Sequence, residues 1–197
     1  SGTYNGHEYT AKLSAAYNDE KYNITRSRME MEEKLNMGYA LLRRELSEIY
    51  HRGKVVDFRS LVKGVMQAQG ISLDDILSFK SLYQILFIAN EYASMNSDFS
   101  LVEPFTEKSY AFIAAKEDRI EGQLYYHIYI LYLLANMHFR NHRFAESKEY
   151  LDKMYGQMQK QSAKYHGRFT LRHSLLLALN ENYSGAWQNA LHITEKA

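Results

Sequence analysis

The residue pair whose spacing comes nearest to that of a metal site is His138 and His142. They lie four positions apart on a predicted helix, so both imidazoles could reach one ion. No carboxylate or third histidine lies at a compatible position nearby, and no HExxH motif is present. Because zinc takes three or four protein ligands, we expect no metal here. We expect His142 to lie at the helix end, where a cation is favoured.

Catalytic motifs are the next chemistry to consider, and none of the familiar ones is present. There is no glycine-rich phosphate loop, no GxSxG and, with zero cysteines, no thiolate nucleophile. Glu30, Glu32 and Glu33 form an acidic cluster, but Arg28 and Lys34 lie beside them, which is typical of a solvated helix face. We therefore expect neither an enzyme nor a cofactor. A helical enzyme whose site is assembled from distant residues remains one functional hypothesis, after the two binding functions described below.

Binding to nucleic acid or membrane finds no support in the charge pattern. The segment QAQGISLDDIL has the outline of a helix-turn-helix, but the segment FKSLYQILFIA that follows is apolar with a single lysine, whereas a groove-reading helix needs exposed polar side chains. The formal net charge is +1, and no apolar run approaches the roughly 20 residues that span a bilayer. We expect a protein or peptide partner, no nucleic acid and no membrane.

The composition indicates an all-α chain. Its 197 residues include one proline and ten glycines, which is few helix breakers for this length. The absence of cysteine slightly favours the cytoplasm. Seventeen tyrosines either fill half-buried helix positions with a wet end or form an aromatic groove.

Hydrophobic periodicity divides the chain in two: a polar N-terminal segment at 1–25, partly disordered or irregularly helical, and a helical-repeat domain at 26–197. We expect Asp57 to cap the second helix, and Ser72 with Asp75 to cap the third. Eight helices in four antiparallel pairs are expected, with seven of them at 29–50, 56–69, 73–95, 121–141, 144–160, 166–183 and from 185 to the end.

A pattern recurs along the second half of the chain. An apolar helix, a polar turn, an aromatic residue and a second helix repeat with Phe99, Phe144 and Trp187, which are 45 and 43 residues apart. A repeat built from helix pairs is typical of an α-solenoid, in which each unit buries its apolar face on its neighbours. We expect Phe144 and Trp187 to be largely buried between the helices of their own hairpins.

The pattern resembles the tetratricopeptide-repeat superfamily over residues 80–197. The matching positions are Leu134, Ala135, Phe144, Ser147, Leu151 and Met154, followed by Leu177, Ala178, Trp187, Ala190, Thr194 and Ala197. The period of about 44 exceeds that family's roughly 34, so the helices are longer. The resemblance implies an α-solenoid of antiparallel hairpins that serves as a protein- or peptide-binding scaffold.

In that family the first helix of each unit lines a concave face. Carried over, the resemblance implies that this face includes Tyr129, Tyr132, Asn136, Arg140 and Arg172, along with Phe139, Leu175, Leu179 and Tyr183. An asparagine and an arginine among tyrosines could hold a peptide backbone and a carboxylate. The other interpretation is that these side chains pack on neighbouring helices or face water.

Two functional hypotheses share this surface: an interaction scaffold, and a peptide- or ligand-sensing domain of a larger, possibly transcriptional, regulator. The chain stops at Ala197 within an amphipathic segment, so we expect truncation at the C-terminal end. Because a solenoid cut without a capping helix leaves an apolar face open, we expect an apolar stripe including Leu191 and Ile193 on the last helix, and self-association there.

Overall fold

The computed structural model describes residues 4–72, 75–76, 78–115, 123–160, 167–185 and 187–196, without the side chains of 4–6 and 187–191. These residues form helices and no strand, which confirms the all-α prediction for the described part of the chain. The helices are α1 Tyr4–His51, α2 Phe58–Ala68, α3 Phe79–Met95, a 3₁₀ helix Phe99–Leu101, α4 Glu103–Ala114, α5 Leu124–Arg140, α6 Phe144–Gln159, α7 Gly167–Tyr183 and α8 Trp187–Lys196.

The first helix is longer than its hydrophobic pattern predicts. The apolar stripe that begins near Leu35 is buried on the rest of the molecule, with Leu42 fully inaccessible. The polar segment before it continues the same helix back to Tyr4, whereas the apolar pattern predicted a helix only from Met29, after a segment at 1–25 that is partly disordered or irregularly helical. Every described side chain from 7 to 30 is exposed, so the periodicity signal is missing there because nothing packs against that stretch.

The caps of α2 and α3 show where local rules succeed and where one fails. Asp57 caps α2 as predicted, because its carboxylate accepts a hydrogen bond from the amide of Ser60. Asp75 accepts from the Ser72 amide, so that expected contact also forms. The helix does not begin there, however: α3 begins at Phe79, and its cap is Ser78, whose hydroxyl accepts from the Ser81 amide. Its expected start near Leu73 is therefore wrong.

Helix α5 is the centre of the packing. It contacts α3, α4, α6 and α7, while α1 contacts α2 and α3, and α7 contacts α8. Ile128, Leu131 and Leu134 of α5 are fully inaccessible, in agreement with the apolar sequence of this helix. None of the described helices combines the length and the apolar character that a bilayer span requires.

Two groups of buried side chains meet at α5. The larger one takes side chains from each of the helices α1 through α5. It includes Phe58, whose ring stacks 5.7 Å from Tyr92 and lies edge-on 5.2 Å from Phe105. The smaller one joins α5, α6 and α7 around Leu151, Met154 and Phe169. Because α5 contributes to both, one continuous core holds the helices that carry the candidate site.

Phe144 differs from its prediction. It is half-buried rather than largely buried, although its ring does contact Phe139 of α5, 5.8 Å away. The reason is that Phe144 lies at the first turn of α6, where its other ring neighbours are His142 and the exposed Tyr183. The side chain of Trp187, the matching residue, lies outside the described residues.

Candidate partner-binding face

The predicted binding residues of α5 lie on one side of that helix. Tyr129, Tyr132, Asn136 and Arg140 follow one another at steps of three and four, so they project from the same face, and the first three are half-buried. Arg172 comes from α7, which packs beside α5. The structure therefore brings four of the five residues onto a single helix face and adds the fifth from a neighbour.

Tyrosine rings on α3 and α5 form a connected cluster, to which α7 adds a cation. The ring of Tyr83 lies 4.9 Å from that of Tyr129, which lies 6.1 Å from Tyr132 and 6.3 Å from Tyr125. The guanidinium of Arg172 lies 5.2 Å from the centroid of the Tyr129 ring, within the range of a cation–π contact. We call these five residues the tyrosine face.

Asparagines extend the tyrosine face across the boundary between α3 and α5. The side-chain amide of Asn136 donates a hydrogen bond of 3.3 Å to the side-chain oxygen of Asn90. Both residues are half-buried. Amide side chains in such a position can pair with the backbone of a bound segment.

Arg140 is the last residue of α5, and its charge acts on Tyr132 of the tyrosine face. Its guanidinium is 5.7 Å from the centroid of the Phe99 ring, in the 3₁₀ helix, and the residue is exposed. That an asparagine and an arginine of this face hold a peptide backbone and a carboxylate stays a prediction. Arg168 is the second arginine at the tyrosine cluster, because its guanidinium lies 5.0 Å from the centroid of the Tyr125 ring.

Helix α7 exposes a row of apolar side chains beside these arginines. Leu171, Leu175 and Leu179 are 58%, 47% and 43% exposed, and Tyr183 is 62% exposed. On the last helix, by contrast, Ile193 is half-buried and its neighbours His192 and Thr194 are polar and exposed. An exposed apolar row is thus present on α7. The stripe expected on the C-terminal helix stays a prediction, because the side chain of Leu191 lies outside the described residues.

The other edge of the face is formed by α1. Arg43 lies over the ring of Phe87 at 5.6 Å and contacts the carboxylate of Glu91 at 3.4 Å. Together with Tyr83 and Phe87, Arg43 lines a cavity of about 540 Å³ between α1 and α3. Tyr83, Phe87 and Arg43 were not among the predicted binding residues, because the concave-face positions were carried over only to the two later units, on α5 and α7.

Two tyrosines of this face, Tyr83 and Tyr132, are held in their neutral form by burial. Burial raises the pKa of Tyr132, and the nearby Arg172 acts in the opposite direction. Burial also raises the pKa of Tyr83, followed by the effect of its tyrosine neighbours. The phenols of Tyr83 and Tyr132 therefore remain hydrogen-bond donors. The cations near the tyrosine face include Arg140, Arg168 and Arg172.

The histidines and glutamates considered above for metal binding or catalysis lie in separate surroundings. His138 is buried, stacks on the ring of Tyr150 and has its Nε2 atom 2.7 Å from Glu107 Oε1. His142 is exposed and follows the end of α5 with a φ of 58°. Among the described residues no cluster of three or more metal-ligating side chains occurs. Glu30 pairs with Arg26 in the exposed part of α1, as a solvated face would.

Comparison with known proteins adds no assignment. No protein-family model matches this sequence, no curated protein is significantly similar to it, and no solved structure matches it either. The resemblance to tetratricopeptide repeats thus rests on the residues given above.

Proposed function

We propose that this chain is a protein-interaction scaffold that binds a partner segment along the tyrosine face and the adjoining exposed side of α7. The observation that carries the proposal is the connected cluster of half-exposed tyrosines with Arg172 over Tyr129. Tyrosine and arginine are the residue types that most often dominate the energy of protein interfaces.

The arrangement supports binding because it is already ordered. Tyr129 is held by rings on both sides, Tyr83 from α3 and Phe169 from α7, and it carries the guanidinium of Arg172. A side chain held in this way loses little conformational entropy when a partner covers it. The phenol groups remain available as donors at the surface.

The chemistry of the face defines the partner. Leu171, Leu175 and Leu179 offer an apolar row to aliphatic or aromatic side chains, while Arg168 and Arg172 offer charge-assisted hydrogen bonds to a carboxylate. We therefore expect a segment that combines apolar residues with at least one aspartate or glutamate. An exposed apolar row of this kind on a folded chain is a common mark of an interaction site.

The proposed architecture is an α-solenoid with a period of about 44 residues. The pair α5 and α6 and the pair α7 and α8 each pack together, and α3, α5 and α7 follow one another side by side. The small residue predicted on the second helix, Ser147, is fully buried against α5. In a solenoid, such helices present one long surface, which suits a partner-binding scaffold.

Selection from a random peptide-display library, followed by calorimetry on the enriched peptides, tests the function. We expect enriched peptides with an acidic residue among apolar ones. Arg172→Glu and Leu175→Asp should each weaken their binding about tenfold or more. Lys63→Glu, on the exposed side of α2, is the matched control and should bind like the unmodified chain.

Two results would count against the scaffold. One is the absence of any enriched peptide, and the other is a set of peptides whose affinity for Arg172→Glu and Leu175→Asp equals that for Lys63→Glu. Arg172 and Leu175 are exposed, so their variants should melt within a few degrees of the unmodified chain, and a loss of binding would not reflect unfolding.

A further inference from the structure

A separate cavity lies between α2, α3 and α4, and it shares no residue with the tyrosine face. Its volume is about 380 Å³, within the range of pockets that bind small molecules. It is lined by Asp57, Arg59, Ile76, Leu82, Ile85, Ser100, Leu101, Pro104, Phe105, Lys108, Ser109, Phe112 and Ile113. Every one of these side chains is described, so the cavity can be considered group by group.

The walls of the cavity are apolar. Ile85, Phe105 and Ile113 are buried beneath it, and Leu101 is half-buried at its side. Phe112 also lines the cavity and is 43% exposed. Walls of this composition favour a ligand with an apolar body.

The charged groups that line the cavity are two cations and one anion. Arg59 and Lys108 are both exposed, and within the described residues neither forms an ion pair. The anion, Asp57, is already engaged as the cap of α2, since its carboxylate accepts from the amide of Ser60. The charge of Arg59 also acts on Asp57, and Lys108 has no ion-pair partner among the described residues. Both cations lie beside apolar walls and can take up an anionic group.

We propose that this cavity binds a small amphipathic carboxylate, with the apolar body against Phe105 and Ile113 and the carboxylate between Arg59 and Lys108. A carboxylate suits this position because both cations can donate charge-assisted hydrogen bonds to it. The apolar body replaces water on the walls, which supplies most of the binding free energy. This binding is independent of the tyrosine face and does not rest on the scaffold function.

Methyl NMR on the full chain with labelled isoleucine tests the site, because Ile76, Ile85 and Ile113 line it. Titration with octanoate should shift these three signals. Acetate, which has the anionic group but no apolar body, should leave them unchanged. The neutral analogue 1-octanol should bind about tenfold more weakly than octanoate, because it lacks the charge that pairs with the cations.

Substitutions locate the two parts of the site. The double variant Arg59→Gln with Lys108→Gln should bind octanoate about tenfold more weakly, whereas Lys63→Gln on the same helix as Arg59 should bind it unchanged. Ser109→Phe places a bulky ring in the cavity and should abolish the shifts. Arg59 and Lys108 are exposed, so the double variant should keep the spectrum of the folded chain.

Three outcomes would overturn the proposal. The first is no shift of the three isoleucine signals at millimolar octanoate. The second is equal affinity for octanoate and 1-octanol, which would remove the role of the carboxylate. The third is unchanged octanoate affinity in the double variant.

Discussion

The side-chain amide of Asn180 on α7 donates a 2.9 Å hydrogen bond to the hydroxyl of Ser147 on α6. The same hydroxyl donates to the carbonyl of Ala135 on α5 at 2.8 Å. Ser147 and Asn180 are both fully buried, and these two bonds join three helices through polar atoms inside the core. Such a connected buried network fixes the relative position of the helices that carry Tyr129 and Arg172.

Removal of the Ser147 hydroxyl should therefore destabilise the protein. We expect Ser147→Ala to lower the free energy of unfolding by about 1–3 kcal/mol, because the buried amide of Asn180 loses a partner. Ser94→Ala, on the exposed side of α3, is the control and should change it by less than about 0.5 kcal/mol. Urea denaturation measures the free energy of unfolding of both variants. Equal midpoints for Ser147→Ala and Ser94→Ala would show that the hydrogen bonds of Ser147 do not stabilise the protein.

Two glycines in helices should respond oppositely to alanine. At Gly64 of α2 nothing lies within 4 Å of an added Cβ atom, so Gly64→Ala should stabilise the protein by about 0.5–1 kcal/mol through helix propensity. At Gly38 of α1 the added atom would lie 2.8 Å from the sulfur of the fully buried Met66. Overpacking costs about 1–3 kcal/mol, so Gly38→Ala should be destabilising. Thermal melts that shift upward for both variants would show that Met66 gives way freely.

Burial predicts a ranking of two phenylalanines. Phe58 is fully inaccessible between Tyr92 and Phe105, so Phe58→Ala should lower the free energy of unfolding by about 3–5 kcal/mol. Phe144 is only half-buried, so Phe144→Ala should cost clearly less, below about 3 kcal/mol. Chemical denaturation of the two variants side by side tests the ranking, and a larger loss for Phe144→Ala would reverse it.

The stability should fall at alkaline pH because of Tyr39. Burial raises the pKa of this phenol above its ordinary value of 10, while its hydroxyl donates to the carbonyl of Ser81 at 3.0 Å. Above pH 10 the unfolded chain releases the Tyr39 proton and the folded chain retains it, so stability present below that pH is lost as the pH rises. The slope is at most about 1.4 kcal/mol per pH unit for one group.

The measurement is urea denaturation at pH 8 to 11 of the unmodified chain and of Tyr39→Phe. The variant should be less stable at pH 8, because it lacks the hydrogen bond to Ser81, and its stability should decline less steeply above pH 10. Identical slopes for the two proteins would exclude Tyr39 as the source of the alkaline loss.

Local rules predicted the helices, and at several points their ends. The 3.6-residue period identified α5, α6 and α7 to within a few residues, and the hydrogen-bonding preference of aspartate identified the cap at Asp57. The resemblance to tetratricopeptide repeats implied that Tyr129, Tyr132 and Asn136 share one face, and their steps of three and four on one helix agree with it. These features depend on residues within one or two turns of each other, so the sequence determines them directly.

The tertiary packing decided which neighbouring residues each helix face contacts. Two of the contacts join different elements: Tyr83 approaches Tyr129, and Arg140 lies over Phe99. The half-exposure of Phe144 likewise depends on which elements lie next to it. The start of α3 at Phe79 was also missed, because Ser78 competed with Ser72 for the cap. Which surfaces come into contact is set by how helices cross and by the connections between them, and no local pattern encodes that geometry.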